Sequence, residues 1–133
     1  MLRRLAVITA IAALFTGSTG VPAVADTEDR LTVTVAGYLG ADGTYLLECH
    51  PARGSHPRPL QACDRLDAAT TWGQDPFAPA PTGEMCSMIS GGPATAHITG
   101  FWAGRPVNAT YDRSNGCEIS RWDNLVPVLP SVR

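Results

Sequence analysis

The residues most able to do chemistry lie between Gly83 and Pro93, where the chain reads Gly-Glu-Met-Cys-Ser-Met-Ile-Ser-Gly-Gly-Pro. This stretch places Met85, Met88 and Ile89 between glycines and a proline, and it shows neither the alternation of a strand nor the period of a helix. Composition alone favours burial of these side chains, because Met fills irregular gaps in protein cores well. The second interpretation is that the segment is a loop that displays its apolar side chains to a partner.

A displayed loop of this kind has the chemistry of a substrate-like protease inhibitor. A protease would bind it as a substrate, and a loop that is ordered beforehand loses less conformational entropy on binding. A disulfide at Cys86 would tie the loop to the body of the protein. If the protease cuts the loop, the new amine then stays beside the acyl-enzyme, so that rejoining of the bond competes with hydrolysis.

Four cysteines follow residue 25, namely Cys49, Cys63, Cys86 and Cys117. In an exported protein an even number of cysteines indicates disulfides, and four cysteines allow three pairings. We prefer the sequential pairing, Cys49 with Cys63 and Cys86 with Cys117, which closes one short loop and one longer loop. On the chain-entropy model each disulfide would stabilise the fold by roughly 3 to 4 kcal/mol.

Metal and catalytic chemistry receive little support from the sequence. Zinc is the rival use of the cysteines, but the chain has no Cys-x-x-Cys pair, and His50, His56 and His97 do not stand at the spacing of ligand motifs. Ser, His and Asp are present without a Gly-x-Ser-x-Gly turn or another catalytic signature. We therefore predict no metal, no cofactor and no enzymatic activity, with His97 at the surface and His56 as a hydrogen-bonding loop residue.

The first 25 residues have the features of a secretory signal peptide. Arg3 and Arg4 precede an apolar run over residues 5–15, and Ala23-Val24-Ala25 is a small-x-small cleavage site. The apolar run is shorter than the about 20 residues that a membrane-spanning helix needs. We therefore expect residues 26–133 to form one secreted, extracellular domain without a membrane partner.

The charge pattern argues against nucleic acid as a partner. The net charge of the 133-residue chain is −2, all ten of its cationic residues are arginines, and the eight that follow residue 25 stand singly along the chain. Proteins that bind nucleic acid draw most of their affinity from clustered Lys and Arg against phosphates. No such cluster occurs in the mature sequence.

Alternating apolar residues predict the strands that must position the loop. Residues 31–36 alternate clearly, and the segments 44–49, 94–101 and 105–111 have similar strand character. Residues 125–129, Leu-Val-Pro-Val-Leu, are predicted as a final strand that Pro127 confines to an edge. Together they indicate an α+β domain with an antiparallel sheet of about five strands.

The intervening segments predict one helix and several turns. Residues 63–71 place Leu66 and Ala69 on one helical face, whereas the prolines of residues 50–59 predict a loop. Trp72 and Phe77, which flank a proline-rich stretch, are expected to close the edge of the core. Residues 113–116, Arg-Ser-Asn-Gly, have the composition of a turn that leads into Cys117.

Several motifs together show a resemblance that no single motif would establish. The mature chain resembles the Streptomyces subtilisin inhibitor family from the first strand to about Glu118. The matching features are the cysteine spacing, Gly54-Ser55-His56-Pro57, Cys86-Ser87-Met88-Ile89, Gly100-Phe101-Trp102, Gly104-Arg105 and Ser114-Asn115-Gly116-Cys117-Glu118.

The resemblance implies a fold, a partner and an assembly. It implies the Cys49–Cys63 and Cys86–Cys117 pairings, a sandwich of a five-stranded antiparallel sheet with about two helices, and a homodimer formed through the sheets. The implied partner is a secreted subtilisin-like serine protease.

The resemblance also implies the roles of individual residues. Met88 matches the residue that enters the specificity pocket of the protease, and Ile89 matches the residue after the reactive bond. Met85, Cys86, Ser87 and Ser90 would flank that bond in neighbouring subsites. Asn115 matches a position that supports the loop from behind, although a turn residue before Gly116 is an equally good interpretation.

The loop departs from the family pattern at two places. Ser87 stands where proline is usual, and Ser90-Gly91-Gly92-Pro93 replaces a more ordered stretch. Each glycine has more conformational freedom to lose, about 0.5–1 kcal/mol relative to alanine, which predicts weaker binding or faster cleavage. Met at the specificity position suits subtilisin-like and chymotrypsin-like enzymes rather than trypsin. The alternative function is a secreted, non-inhibitory binding module on the same fold.

Overall fold

The computed structural model describes residues 28–132 together with the isolated positions 12, 17 and 20. The predicted signal peptide, residues 1–25, lies outside the described residues apart from those three positions. The regular elements, in chain order, are β1 (Arg30–Ala36), β2 (Gly43–Glu48), α1 (Pro59–Ala69), a 3₁₀ turn (Thr71–Gly73), β3 (Thr95–Trp102), β4 (Arg105–Tyr111) and α2 (Gly116–Asp123).

The four strands form one antiparallel sheet in the order β2-β1-β3-β4. In this register Val33 of β1 lies opposite Tyr45 of β2 on one side and Ile98 of β3 on the other. The apolar residues that alternate in the sequence are the buried ones, and the residues between them are more exposed, for example over β1. The first four predicted strands are therefore confirmed.

The predicted fifth strand is wrong. In the part of the chain that the structure describes, residues 125–129 form turns and the sheet has four strands. Leu125, Val128 and Leu129 are buried. A strand buries every second side chain, whereas these residues are separated by three positions and by one. The segment covers the core as an irregular stretch that follows α2.

Both helices contribute to a single core on one face of the sheet. The inward side chains of the strands pack with Ala62 and Leu66 of α1 and with Trp122 of α2. Helix α1 begins at Pro59, four residues before the predicted start, because proline at the first helical position has no N–H to leave unpaired. The α+β class with two helices is confirmed.

Two aromatic residues next to α1 differ in their placement. Phe77 is buried as predicted, whereas Trp72 is 94% exposed, so its predicted burial is wrong. Trp72 has a positive φ of 64° inside the tight 3₁₀ turn, and this conformation turns its side chain away from the core.

The opposite face of the sheet is open to solvent in the single chain. His97 lies on it, exposed as predicted, with its Nε2 2.6 Å from the side-chain oxygen of Asn108. Leu46 and Phe101 are large apolar side chains of this face, and both are exposed. The homodimer that the resemblance implies would cover this face and remains a prediction.

The Cys49–Cys63 disulfide connects the end of β2 to α1, as predicted, and both cysteines are buried. The loop that it closes contains the buried His56, whose Nδ1 accepts the N–H of Arg58 at 3.0 Å. Its Nε2 therefore carries the proton and donates to the carbonyl oxygen of Val128, 2.9 Å away. The prediction that His56 is a hydrogen-bonding loop residue is confirmed.

Candidate functional site

The segment over residues 83–93, here called the displayed loop, stands out from the body of the domain. It contains no helix or strand, and the relative exposures are 101% for Met85, 90% for Met88 and 65% for Ile89. The interpretation that these side chains fill the core is therefore wrong. Three large apolar side chains exposed on one loop, without a covering element, are typical of a binding segment.

The displayed loop is tethered on the side that precedes the Met88-Ile89 bond. Cys86 is joined to Cys117 by the second disulfide, as predicted, with 5.2 Å between their Cα atoms. One residue further along, the carbonyl oxygen of Ser87 accepts the N–H of Gly116 at 2.9 Å. A covalent bond and a backbone hydrogen bond thus fix the two residues before Met88.

A second tether follows the Met88-Ile89 bond and was not predicted from the sequence. The N–H of Gly91 donates to the carbonyl oxygen of Arg113 at 2.7 Å, and the Nε of Arg113 donates to the carbonyl oxygen of Gly91 at 3.2 Å. Two hydrogen bonds between the same pair of residues hold the loop two positions after Ile89.

The two glycines that follow the Met88-Ile89 bond behave differently. A Cβ atom on Gly91 would lie 2.9 Å from Cβ and Nε of Arg113 and from Cγ1 of Ile119, so only glycine fits this contact. A Cβ atom on Gly92 would meet no other atom within 4 Å, and a positive φ of 93° is what favours glycine there. The expected looseness applies to Gly92, whereas Gly91 is a contact point.

Both tethers reach the same short stretch of chain, residues 113–117, here called the support segment. It leads from β4 into α2, which begins at Gly116. Because Arg113 holds one side of the loop while Gly116 and Cys117 hold the other, the support segment determines the distance between the two tethered ends. The Met88-Ile89 bond lies between them.

The predicted supporting residue Asn115 acts on the helix in this structure. Its Oδ1 accepts the N–H of Glu118 at 3.0 Å and caps α2. A capped first turn fixes the N–H of Gly116, which binds the loop, so any support from Asn115 would be indirect. The role that the resemblance implies for Asn115 remains a prediction.

Arg113 contacts the displayed loop and was not predicted from the sequence. It is 6% exposed, its Nη1 is 2.8 Å from Oδ1 of Asp123, and its guanidinium lies 5.6 Å from the ring centre of Trp122. Nothing in the turn-like run of residues 113–116 indicates this burial, because the partner Gly91 is 22 residues away. A signal for α2 did exist, since Asn115-x-x-Glu118 is a helix-start pattern.

The displayed loop carries no charge near its centre. Glu84 is its one ionisable residue outside the disulfide, four positions before Met88. An uncharged apolar side chain at an exposed point of the loop suits a partner pocket without a buried charge. Among residues 28–132 no group of three or more His, Cys, Asp or Glu side chains could hold a metal ion, and no helix there is long and apolar enough to cross a membrane.

Comparisons with known proteins show which family this chain resembles. The family model "Subtilisin inhibitor-like" matches residues 25–115. Kexstatin-1 of Streptomyces platensis is 34% identical over 94 residues, which are 70% of this chain and 59% of kexstatin-1, so the chain spans less than two thirds of that relative. Subtilisin inhibitor-like protein 1 of Streptomyces cacaoi is 35% identical over 79 residues, which are 56% of this chain and 68% of that protein.

A solved structure is also similar in part. It contains Streptomyces caespitosus sermetstatin in complex with Bacillus licheniformis subtilisin, at 28% identity and a TM-score of 0.43. The similarity covers 77% of this chain and 97% of the matched chain.

Proposed function

Because this chain belongs to the subtilisin inhibitor-like family, we propose that it is a secreted inhibitor of subtilisin-type serine endopeptidases with Met88-Ile89 as its reactive bond. The observation that supports this most is the exposed, uncharged Met88 between two tethers that reach one support segment. The name of the relative from Streptomyces cacaoi, subtilisin inhibitor-like protein 1, refers to the same class of partner.

The proposed mechanism is slow and reversible cleavage. The serine Oγ of the protease attacks the carbonyl carbon of Met88, the C–N bond to Ile89 breaks, and the amine of Ile89 leaves with a proton from the protease histidine. The acyl group of Met88 remains on the serine. Because the tethers keep the amine of Ile89 beside the ester, the amine attacks it, releases the serine and restores the peptide bond faster than water replaces it.

The side chains around the bond would occupy separate subsites of the protease. Met88 would enter the main specificity pocket, with Ser87, Cys86 and Met85 upstream and Ser90 downstream. The flexible thioether of Met88 suits a roomy apolar pocket of a subtilisin, and it also suits chymotrypsin-like enzymes. A trypsin-like pocket, with its buried acid, would leave that acid without a cation.

Preorganisation would supply the affinity. Ser87 lacks the fixed φ angle that proline would give, but its carbonyl oxygen is held by Gly116. Gly91 is held by two hydrogen bonds. Contacts with the support segment therefore order a loop that has serine and glycine in place of stiffer residues, and this lowers the entropy lost on binding.

The proposed homodimer would form through the open face of the sheet.

Titration of subtilisin with residues 26–133 tests the proposal. We expect loss of activity at one inhibitor chain per active site, with Kd in the nanomolar range or below, as is usual for protease–inhibitor pairs of this kind. An excess of folded protein that leaves subtilisin fully active would contradict the proposal and favour a non-inhibitory binding module.

A pair of substitutions on the loop tests the position of the bond. Met88→Arg should weaken subtilisin binding and create inhibition of trypsin, because the new cation would reach the acid of the trypsin pocket. Met85→Arg is the matched control, a similarly exposed methionine on the same loop, and should not create trypsin inhibition. Trypsin inhibition by the Met85 variant alone would show that the bond is assigned to the wrong residue.

A further inference from the structure

We propose that Arg113 is a positioning residue for the segment after the reactive bond. Its contact with Gly91 forms a noncovalent anchor that holds the chain after the bond, as the Cys86–Cys117 disulfide holds the chain before it. The role in inhibition rests on the proposed function. The anchor itself is a property of the free protein.

The two attachments are placed symmetrically about the bond. Cys86 lies two residues before Met88, and Gly91 lies two residues after Ile89. Both attach to the support segment, the first at Cys117 and the second at Arg113. After cleavage the disulfide can retain the upstream fragment, but the new amine of Ile89 belongs to the other side of the cut. Its nearest attachment is the one at Gly91.

The chemistry of the guanidinium explains why arginine suits this place. Nε donates to the carbonyl oxygen of Gly91 and Nη1 pairs with Asp123, while Cζ lies over the ring of Trp122, 5.6 Å from its centre. A guanidinium presents several donors in a rigid plane and stacks on aromatic rings, whereas an ammonium is a single point charge on a flexible stem. Its burial is tolerated because the charge keeps hydrogen-bonding partners on two sides.

The shape of the contact is as specific as its hydrogen bonds. Gly91 packs against the side chains of Arg113 and Ile119 without room for a Cβ atom. The loop therefore approaches the support segment as closely as a backbone can, which keeps the amide of Gly91 on the Arg113 carbonyl. Replacement of Arg113 removes one partner of this contact, and a Cβ atom at position 91 pushes the other partner away. Both changes should therefore loosen the contact.

The anchor predicts a change in the balance between cut and intact inhibitor. Without it the cleaved chain would gain more conformational freedom at Ile89 than the intact chain, whose loop is still closed at Met88, so the equilibrium would shift towards the cleaved form and rejoining on the enzyme would slow. Charge-assisted hydrogen bonds are among the stronger ones in proteins, so we expect a shift of about tenfold in the ratio of cleaved to intact protein at equilibrium.

The test compares Arg113→Met with a matched arginine that does not touch the loop. Arg65 donates from Nε to the carbonyl oxygen of Asn124 at 2.6 Å and from Nη2 to its side chain at 2.7 Å, so Arg65→Met removes a similar set of hydrogen bonds. Gly91→Ala leaves the guanidinium in place and serves as an independent variant if Arg113→Met fails to fold.

Two measurements are made on each folded variant, the equilibrium ratio of cleaved to intact chain with catalytic subtilisin and the hydrogen-exchange protection of the Gly91 amide without protease. We expect Arg113→Met and Gly91→Ala to raise the ratio of cleaved to intact chain and to lower the protection of the amide at position 91, each by about tenfold. Arg65→Met should change neither quantity. Unchanged protection at position 91 in both loop variants would overturn the anchor.

The same measurements separate the anchor from the proposed function. If the wild-type protein does not inhibit subtilisin but protection at position 91 falls only in the two loop variants, the anchor stands and the proposed function fails. If the wild-type protein inhibits while equal changes follow Arg113→Met and Arg65→Met, the effect is one of general stability and the inference fails.

Discussion

The Cys49–Cys63 disulfide lies in the hydrophobic core, whereas the Cys86–Cys117 disulfide lies half-buried at the base of the displayed loop. The first joins the end of β2 to α1 and is surrounded by the side chains that hold the sheet to the helix. The second joins a segment without regular structure to the first turn of α2. Two bonds of the same chemistry thus constrain a folded core in one region and an exposed loop in the other.

The difference separates two tasks that the proposed inhibitor must combine. The core region has to keep the domain folded, and its side chains are buried and apolar. The loop region has to keep an exposed peptide bond in one conformation, and its contacts are backbone hydrogen bonds, one disulfide and the buried Arg113. Substitutions should therefore affect stability and inhibition separately, according to the region in which they lie.

Removal of the core disulfide should have the largest effect. For Cys49→Ala with Cys63→Ala we expect the free energy of unfolding to fall by about 3 to 4 kcal/mol, because the denatured chain regains the freedom of a loop of about 15 residues and the core loses two buried sulfurs. Urea denaturation gives the value. Inhibition per folded molecule should stay unchanged, and a loss of inhibition at full folding would break the comparison.

Removal of the loop disulfide should convert the inhibitor into a substrate. For Cys86→Ser with Cys117→Ser we expect net cleavage of Met88-Ile89 by subtilisin to accelerate by roughly 100-fold, because the two ends of the cut bond would no longer be held together and water would compete with rejoining. The rate is followed by mass spectrometry at a temperature where the variant is folded. Cleavage as slow as in the wild type would show that the disulfide does not constrain the loop.

A single added methyl group should weaken inhibition without lowering stability, the reverse of the effect expected for removal of the core disulfide. Gly116→Ala improves helix propensity in α2, so stability should hold or rise by up to about 1 kcal/mol. The new Cβ collides with the side chain of Ser87, so inhibition of subtilisin should weaken by roughly tenfold. Exposed Ser120 of the same helix provides the control, Ser120→Ala. Equal inhibition by both variants would contradict the contact.

The smallest effect concerns pH and belongs to the core region. His50, next to Cys49, lies 3.0 Å from Asp67 and 2.7 Å from Asp29, and its ring is 5.8 Å from that of Trp102. Hydrogen bonds to Asp67 first, and then to Asp29, raise the pKa of His50 above its ordinary value. The stabilisation is complete below the pKa of the unfolded chain, about 6.5, and is lost as the pH rises through the higher folded pKa.

Replacement of this histidine measures that contribution. His50→Gln should lower the free energy of unfolding at about pH 5.5 more than at about pH 9, by less than about 1 kcal/mol because the ring is half exposed and screened by water. Denaturation at the two pH values gives the difference. A larger loss at the higher pH, or a pH-dependent loss of subtilisin inhibition, would contradict this assignment to the core region.

Local patterns were sufficient to predict most of the core region. Alternation over β1 and β3 follows from burial on one face of a sheet, and the even number of cysteines follows from their pairing in two disulfides. The segment 125–129 failed because Leu-Val-Pro-Val-Leu has the composition of a strand but covers the core without a neighbouring strand to pair with. Helix α2 was missed as an element because Ser-Asn-Gly resembles a turn, although Asn115 and Glu118 also form a helix start.

The loop region depended much more on long-range contacts. Met88-Ile89 could be selected only through the resemblance, since composition favoured burial of these residues. The contact of Gly91 with Arg113 joins positions 22 residues apart, and no periodicity or spacing encodes it. A glycine that looks flexible in sequence became a fixed point because another part of the chain fills the space beside it.

The most direct test of the proposed inhibition is the amino terminus that subtilisin creates. The intact domain is incubated with a catalytic amount of enzyme, and the cleaved chain, still joined by its disulfide, is isolated and incubated again with fresh enzyme. We expect one new terminus at Ile89 and re-formation of the intact chain to the same final ratio from both directions. Cleavage at another bond, or complete cleavage without re-formation, would contradict the proposed reactive bond and its reversible cleavage.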